Sequence, residues 1–124
     1  MKKTKVTCFE DLLIWEKSLS LSIKVYSELK NCRDYGLKDQ MQRCSVSVPS
    51  NIAEGFERGT NKSFLYYLRI SIGSLGELRT QLHIAKATGA LRPDTADQFI
   101  IRTKQLSSMI YKLIQTRQSW DTKK

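Results

Sequence analysis

Apolar residues recur along this chain at steps of three and four, the spacing of one helix face, in four separate stretches. From Phe9 to Asn31 the positions Leu12, Leu13, Leu19, Ile23, Tyr26 and Leu29 predict a first helix and its buried side. The turn-forming pair Asp34 and Gly36 interrupts it, and Leu37, Met41, Cys44, Val48 and Ile52 resume the pattern, ending near Gly55 to Gly59. A third stretch, capped by Thr60 or Asn61, places Phe64, Leu68, Ser71, Leu75, Leu78, Leu82 and Ala85 on one face and stops at Gly89. Pro93 can open a fourth helix, with Asp94 and Asp97 favourably set against its N-terminal dipole. The expected face is Ala96, Phe99, Thr103, Leu106, Ile110, Leu113 and, if the last turn forms, Trp120. Short connections between four amphipathic segments predict an all-α, antiparallel up-down-up-down four-helix bundle.

Two features depart from this simple pattern. Pro49 lies inside the second helix, where it removes a backbone donor, leaves the Ser45 carbonyl without its helical partner and pushes Val48 away from the α region. A kink or a short break is expected there. Ser45, Ser47, Ser50 and Asn51 surround the point with side chains able to satisfy the freed groups. Gly55 and Gly59 permit a close approach or a left-handed exit. The third helix, in turn, is greasier than one core-facing side requires. Tyr66, Ile70, Ile72 and Ile84 widen its apolar arc, and Gly73, Ser74 and Gly76 would each weaken an exposed helix. A neighbouring subunit packed against this side accounts for both. A tight helix crossing within one bundle is the alternative.

Composition bounds the rest. The 124 residues suit a single domain spanning 1–124, with 1–8 and 121–124 expected to fray. No apolar run approaches the roughly 18–20 residues of a membrane span, and the N-terminus lacks a secretory h-region, so a cytoplasmic location is expected. Cys8, Cys32 and Cys44 are odd in number and lack CxxC spacing; they read as reduced thiols, Cys44 as a small core residue. One histidine, His83, has no local partner, and the HExxH, phosphate-loop and GxSxG motifs are absent. No enzymatic activity, metal or cofactor is expected, and Glu54 and Glu57 read as solvated or salt-bridged.

The net charge of +9 favours polyanionic partners. Residues 1–35 carry +2, 36–59 carry 0, 60–92 carry +4 and 93–124 carry +3. Lys62, Arg69 and His83 fall on one side of the third helix, and Arg79 and Lys86 form a second pair seven apart. Arg102 and Lys104 add charge on the fourth. Such rows can track a phosphate backbone, with Tyr66 and Tyr67 able to stack on bases, or they can be ordinary solvated edges.

The run SVPSNIAEGFERGTNKSFLYYLRISIGSLGEL, with FEDLLIWEKSLSL and YGLKDQMQR before it and QLHIAKATGAL after it, resembles the four-helix-bundle family encoded in intervening sequences of bacterial 23S rRNA genes. Its core reads SxPSNIAEGxxR followed by FLxxLxIxxGSLxEL. The resemblance implies a ring-shaped homopentamer and no known catalytic residues. A related protein, the accessory variability determinant of diversity-generating retroelements, is a basic pentamer that binds nucleic acid and a reverse transcriptase. Asn51, Glu54, Gly55, Arg58, Ser74 and Glu77 occupy motif positions here, with a role at the subunit contact preferred and ligand binding left open. Two function classes follow: a nucleic-acid-binding oligomer, or an oligomeric scaffold for a protein partner such as a reverse transcriptase.

Overall fold

The computed structural model describes residues 5–122, and among them there is no strand. A short 3₁₀ turn at Phe9–Asp11 leads into four helices: α1 (Leu13–Glu28), α2 (Tyr35–Glu57), α3 (Asn61–Thr88) and α4 (Pro93–Thr122). The fraying expected at residues 1–4 and 123–124 lies outside the described residues. At the start, the Thr7 amide and hydroxyl each donate to the Asp11 carboxylate at 3.0 Å. Asp34 accepts from the Leu37 amide at 3.2 Å to cap α2, and the Thr60 hydroxyl accepts from the Ser63 amide at 3.1 Å to cap α3. Gly59 and Gly89 both take φ of 81°, the left-handed conformation that lets α2 and α3 end without strain.

Consecutive helices are neighbours, and α1 closes the ring against α4 over the shortest contact. Partner residues run in opposite directions along α3 and α4: Lys86 meets Asp97 at one end and Asn61 meets Arg117 at the other. The same reversal joins α2 to α3, where Cys44 pairs with Gln81 and Ser47 with Ser74. This is the antiparallel bundle that the periodicity predicts. Every expected core position of α3 is buried. On α4, Leu113 is half-buried and Ile100 and Ile114 complete the inner face, but Trp120 is 51% exposed. Its ring instead covers the Arg117 guanidinium at 4.0 Å, beyond the last layer of core.

The buried side of α1 is not the expected one. Leu12 and Leu29 are inside, yet the inward face is Ile14, Ser18, Leu21, Ser22 and Val25, while Leu13, Leu19, Ile23 and Tyr26 face out. The helix carries two apolar arcs, and the inward one was masked by its serines. Their hydroxyls are satisfied locally: Ser18 donates to the Trp15 carbonyl at 2.9 Å, and Ser22 shares a hydrogen bond with Ser45 at 3.3 Å. Small hydroxylated residues let α1 and α2 approach without leaving a buried polar group unpaired.

Helix α2 runs through Pro49 without interruption, so the break does not occur. Polar side chains bond the carbonyls of Ser47 and Val48, beside the proline, rather than the Ser45 carbonyl that it deprives of a donor. Asn51 donates to the Ser47 carbonyl at 2.8 Å and to its hydroxyl at 2.9 Å, and Ser71, from α3, donates to the Val48 carbonyl at 3.1 Å. The tight approach between helices falls at Gly55. A Cβ there would stand 2.7 Å from the Tyr67 Cβ and 3.3 Å from the Phe64 Cα. Gly73 and Gly76 have open space at that position, so no crossing within the bundle explains them.

Candidate functional site

The short α1–α4 contact leaves a groove of about 710 Å³ along that seam. Lys17 and Lys24 stand on its α1 wall, Arg102 and Lys112 on its α4 wall. Lys17 and Lys24 are two turns apart, about 10 Å along the axis, and Arg102 and Lys112 are separated by about 15 Å. Leu21, Leu106 and Met109 form an apolar floor, and Ser20, Gln105 and Ser108 add polar groups. No carboxylate lines this stretch. Nor does any of the four cations form an ion pair among the described residues. The groove continues past Lys24 and Arg102 into a depression of about 210 Å³, where Phe99 lies beside them and Glu28 is its one acidic group. Four like charges along one seam, none in an ion pair among the described residues, leave a net positive field for an anionic ligand to neutralise.

The cations expected to act together do not share one place. Lys62 and Arg69 are exposed on the outer side of α3 with Tyr66 between them, and His83 lies at the edge of that side. Arg79 leans toward α4, where it reaches the Thr103 hydroxyl at 3.5 Å. Lys86 is held by Asp97 at 2.8 Å, so its charge is matched locally. Arg102 alone lines the groove, and Lys104 is exposed on α4 outside it. Lys17, Lys24 and Lys112 were not anticipated. The seven-residue spacing of the two α1 lysines was the available signal, hidden by the misplaced inward face of that helix.

The motif residues gather on the outer edge between α2 and α3. Arg58 pairs with Glu54 at 2.9 Å and lies 5.3 Å from the centre of the Tyr67 ring, and the Glu54 hydrogen bond holds its guanidinium above its ordinary pKa. Ser47, Asn51 and Ser74 form one hydrogen-bonded set, with the two hydroxyls 2.9 Å apart. Ile70 is half-buried, whereas Tyr66 (61%) and Ile84 (47%) are exposed, and Glu77 and Gly73 share their side of α3. Nearby, the Gln81 amide donates to the Cys44 sulfur at 3.3 Å, and burial pushes the Cys44 thiol up in pKa. Among the described residues no three His, Cys, Asp or Glu side chains are grouped as metal ligands would be. No helix among the described residues is long and apolar enough to cross a membrane.

Seam, surface and connectivity together define a basic, antiparallel four-helix bundle. The family model described as 23S rRNA-intervening sequence protein matches residues 10–112, and the chain belongs to that family. The crystal structure of a protein of unknown function from the S23 ribosomal protein family of Bacteroides thetaiotaomicron is similar in fold, with a TM-score of 0.78. It is 16% identical, and the match covers 82% of this chain and 98% of that one. No curated protein matches the chain.

Proposed function

We propose that this protein is a non-enzymatic, homo-oligomeric bundle that binds RNA or DNA through its basic surface. The observation that carries the reading is the α1–α4 groove, whose four cations form no ion pair among the described residues. Each phosphate neutralised there releases condensed counter-ions, so affinity should fall steeply with salt. The test is a titration of RNA and DNA against the whole chain at two salt concentrations. Binding at low salt that weakens by about tenfold or more on raising salt agrees with the reading; absence of binding at low salt removes it. A Lys17→Ser, Lys24→Ser, Arg102→Ser variant should lose affinity, while Arg69→Ala with Arg79→Ala tests the α3 cations. Unchanged binding in that second variant would leave the groove as the contact and discard the α3 assignment.

Assembly belongs to the same reading, with the homopentameric ring implied by family resemblance as its form. A closed ring needs two different patches on each subunit. Two unpartnered surfaces are available: the outer side of α3, with Tyr66, Ile84 and the open Gly73 and Gly76, and the outward apolar arc of α1. A bend of α2 at Pro49 would tilt the half carrying Asn51, Glu54 and Arg58 toward α3. The second reading, a scaffold for a protein partner such as a reverse transcriptase, is favoured by the α1 arc, where Leu13, Leu19, Ile23 and Tyr26 are all exposed.

A further inference from the structure

We infer that the α1–α4 groove takes a single strand of nucleic acid, its phosphates on the rims and a base laid on the floor. This deepens the binding reading above and rests on it. Charge alone would serve duplex and single strand alike; the shape of the seam separates them. Between Lys17 and Lys24 on one wall and Arg102 and Lys112 on the other, the surface sinks to Leu21, Leu106 and Met109. A duplex keeps its bases inside and presents a convex phosphate surface, so it could touch the rims while leaving that apolar floor unfilled. A single strand has unstacked bases to turn inward. The volume, about 710 Å³, falls within the range of clefts that enclose small organic ligands, roughly 300–1,000 Å³.

The floor suits a base for chemical reasons. Met109 is half-buried and brings a polarizable sulfur, which packs favourably against aromatic rings. Arg102 is half-buried, forms no ion pair among the described residues, and lines both the main groove and the smaller depression, which also holds Glu28. Its planar guanidinium can stack on a base or clamp a phosphate, options that a lysine lacks. Ser20, Gln105 and Ser108 offer hydrogen-bond partners to base edges or sugar hydroxyls without demanding one sequence. The groove should therefore prefer single strands and discriminate weakly among sequences.

The test uses the intact chain and four labelled probes at one low salt concentration. They are a single-stranded oligonucleotide of about twelve residues, its blunt duplex, an abasic strand of the same length and charge, and polyglutamate. The single strand is expected to bind about tenfold more tightly than the duplex or the abasic strand. Met109→Gln is expected to narrow the gap between the single strand and the abasic strand, leaving abasic binding unchanged. Lys17→Ser with Arg102→Ser is expected to weaken all nucleic-acid probes. Equal affinity for duplex and single strand overturns the inference and leaves nucleic-acid binding standing. Polyglutamate binding as tightly as the single strand overturns it in favour of an acidic protein segment. If no nucleic acid binds at low salt, the inference and the function reading fall together. The probe comparison needs only the unaltered protein, so it stands even if a variant fails to fold.

Discussion

The contact at Gly55 leaves no room for a methyl group, because the opposing atoms are a Cβ and a Cα fixed to the α3 backbone. Relief requires moving the two helices apart. Gly55→Ala should therefore destabilise the fold by about 1–3 kcal/mol, despite the gain in helix propensity, as read by urea unfolding. Arg117 is a second point where one side chain holds two elements. Its guanidinium lies 4.7 Å from the Phe64 ring and 4.0 Å from the Trp120 ring, and it donates to the Asn61 side chain at 3.2 Å. The Asn61 amide donates back to the Arg117 carbonyl at 2.8 Å. Burial lowers the pKa of this guanidinium, though an arginine stays charged throughout the neutral range. Arg117→Ala should cost about 1–2 kcal/mol, and Arg117→Lys should recover little of it, because an ammonium cannot stack flat between two rings. Thermal melts of the three proteins would check the order.

Among the helices, α3 and α1 show what an apolar pattern can and cannot reveal. In α3 the large inward residues, from Phe64 and Leu68 through Leu75, Leu78 and Leu82, outnumber the buried Ser71 and Ser74, so one face dominates the count and the sequence identifies it. In α1 the inward arc is diluted by Ser18 and Ser22, while Leu19, Ile23 and Tyr26 crowd the outward one. Periodicity locates such a helix but not its orientation, because burial depends on which small residues let a neighbour approach. The candidate site was hidden for the same reason: with α1 turned wrongly, Lys17 and Lys24 do not fall beside α4. The excess of apolar surface expected on α3 is shared with α1, and Ile70 is partly covered within the chain. Gly73 and Gly76 supply a test at this scale. Replacing each by Ala should strengthen the isolated helix by up to about 1 kcal/mol per site. If a second subunit packs on that surface, the same substitutions should raise monomer stability while weakening self-association, which sedimentation at several concentrations would resolve.

At the scale of the molecule, the bundle has one loosely closed side. The α2–α3 and α3–α4 pairs are joined by extensive packing and by hydrogen bonds along their length, whereas α1 and α4 touch least and leave a basic cleft between them. Four cations facing one another repel when no ligand is present, and an anion relieves that repulsion. Binding of a polyanion should therefore raise the melting temperature, and more so at low salt, where screening is weakest. A melting shift that persists unchanged at high salt would speak against electrostatic capture. Light scattering gives the complementary whole-molecule measurement: a homo-oligomer should lose mass when Ile23 and Leu19 are changed to Asp, if the outward arc of α1 is buried between copies.

The cleft is built from the first and last of the four helices, with the entire α2–α3 hairpin synthesised between its two walls. A nascent chain that has not yet passed Pro93 presents Lys17 and Lys24 without their opposite wall. Such a chain would hold polyanions only weakly and from one side. On the proposed reading, full capture would be reserved for the finished bundle, its timing written into the order of the helices.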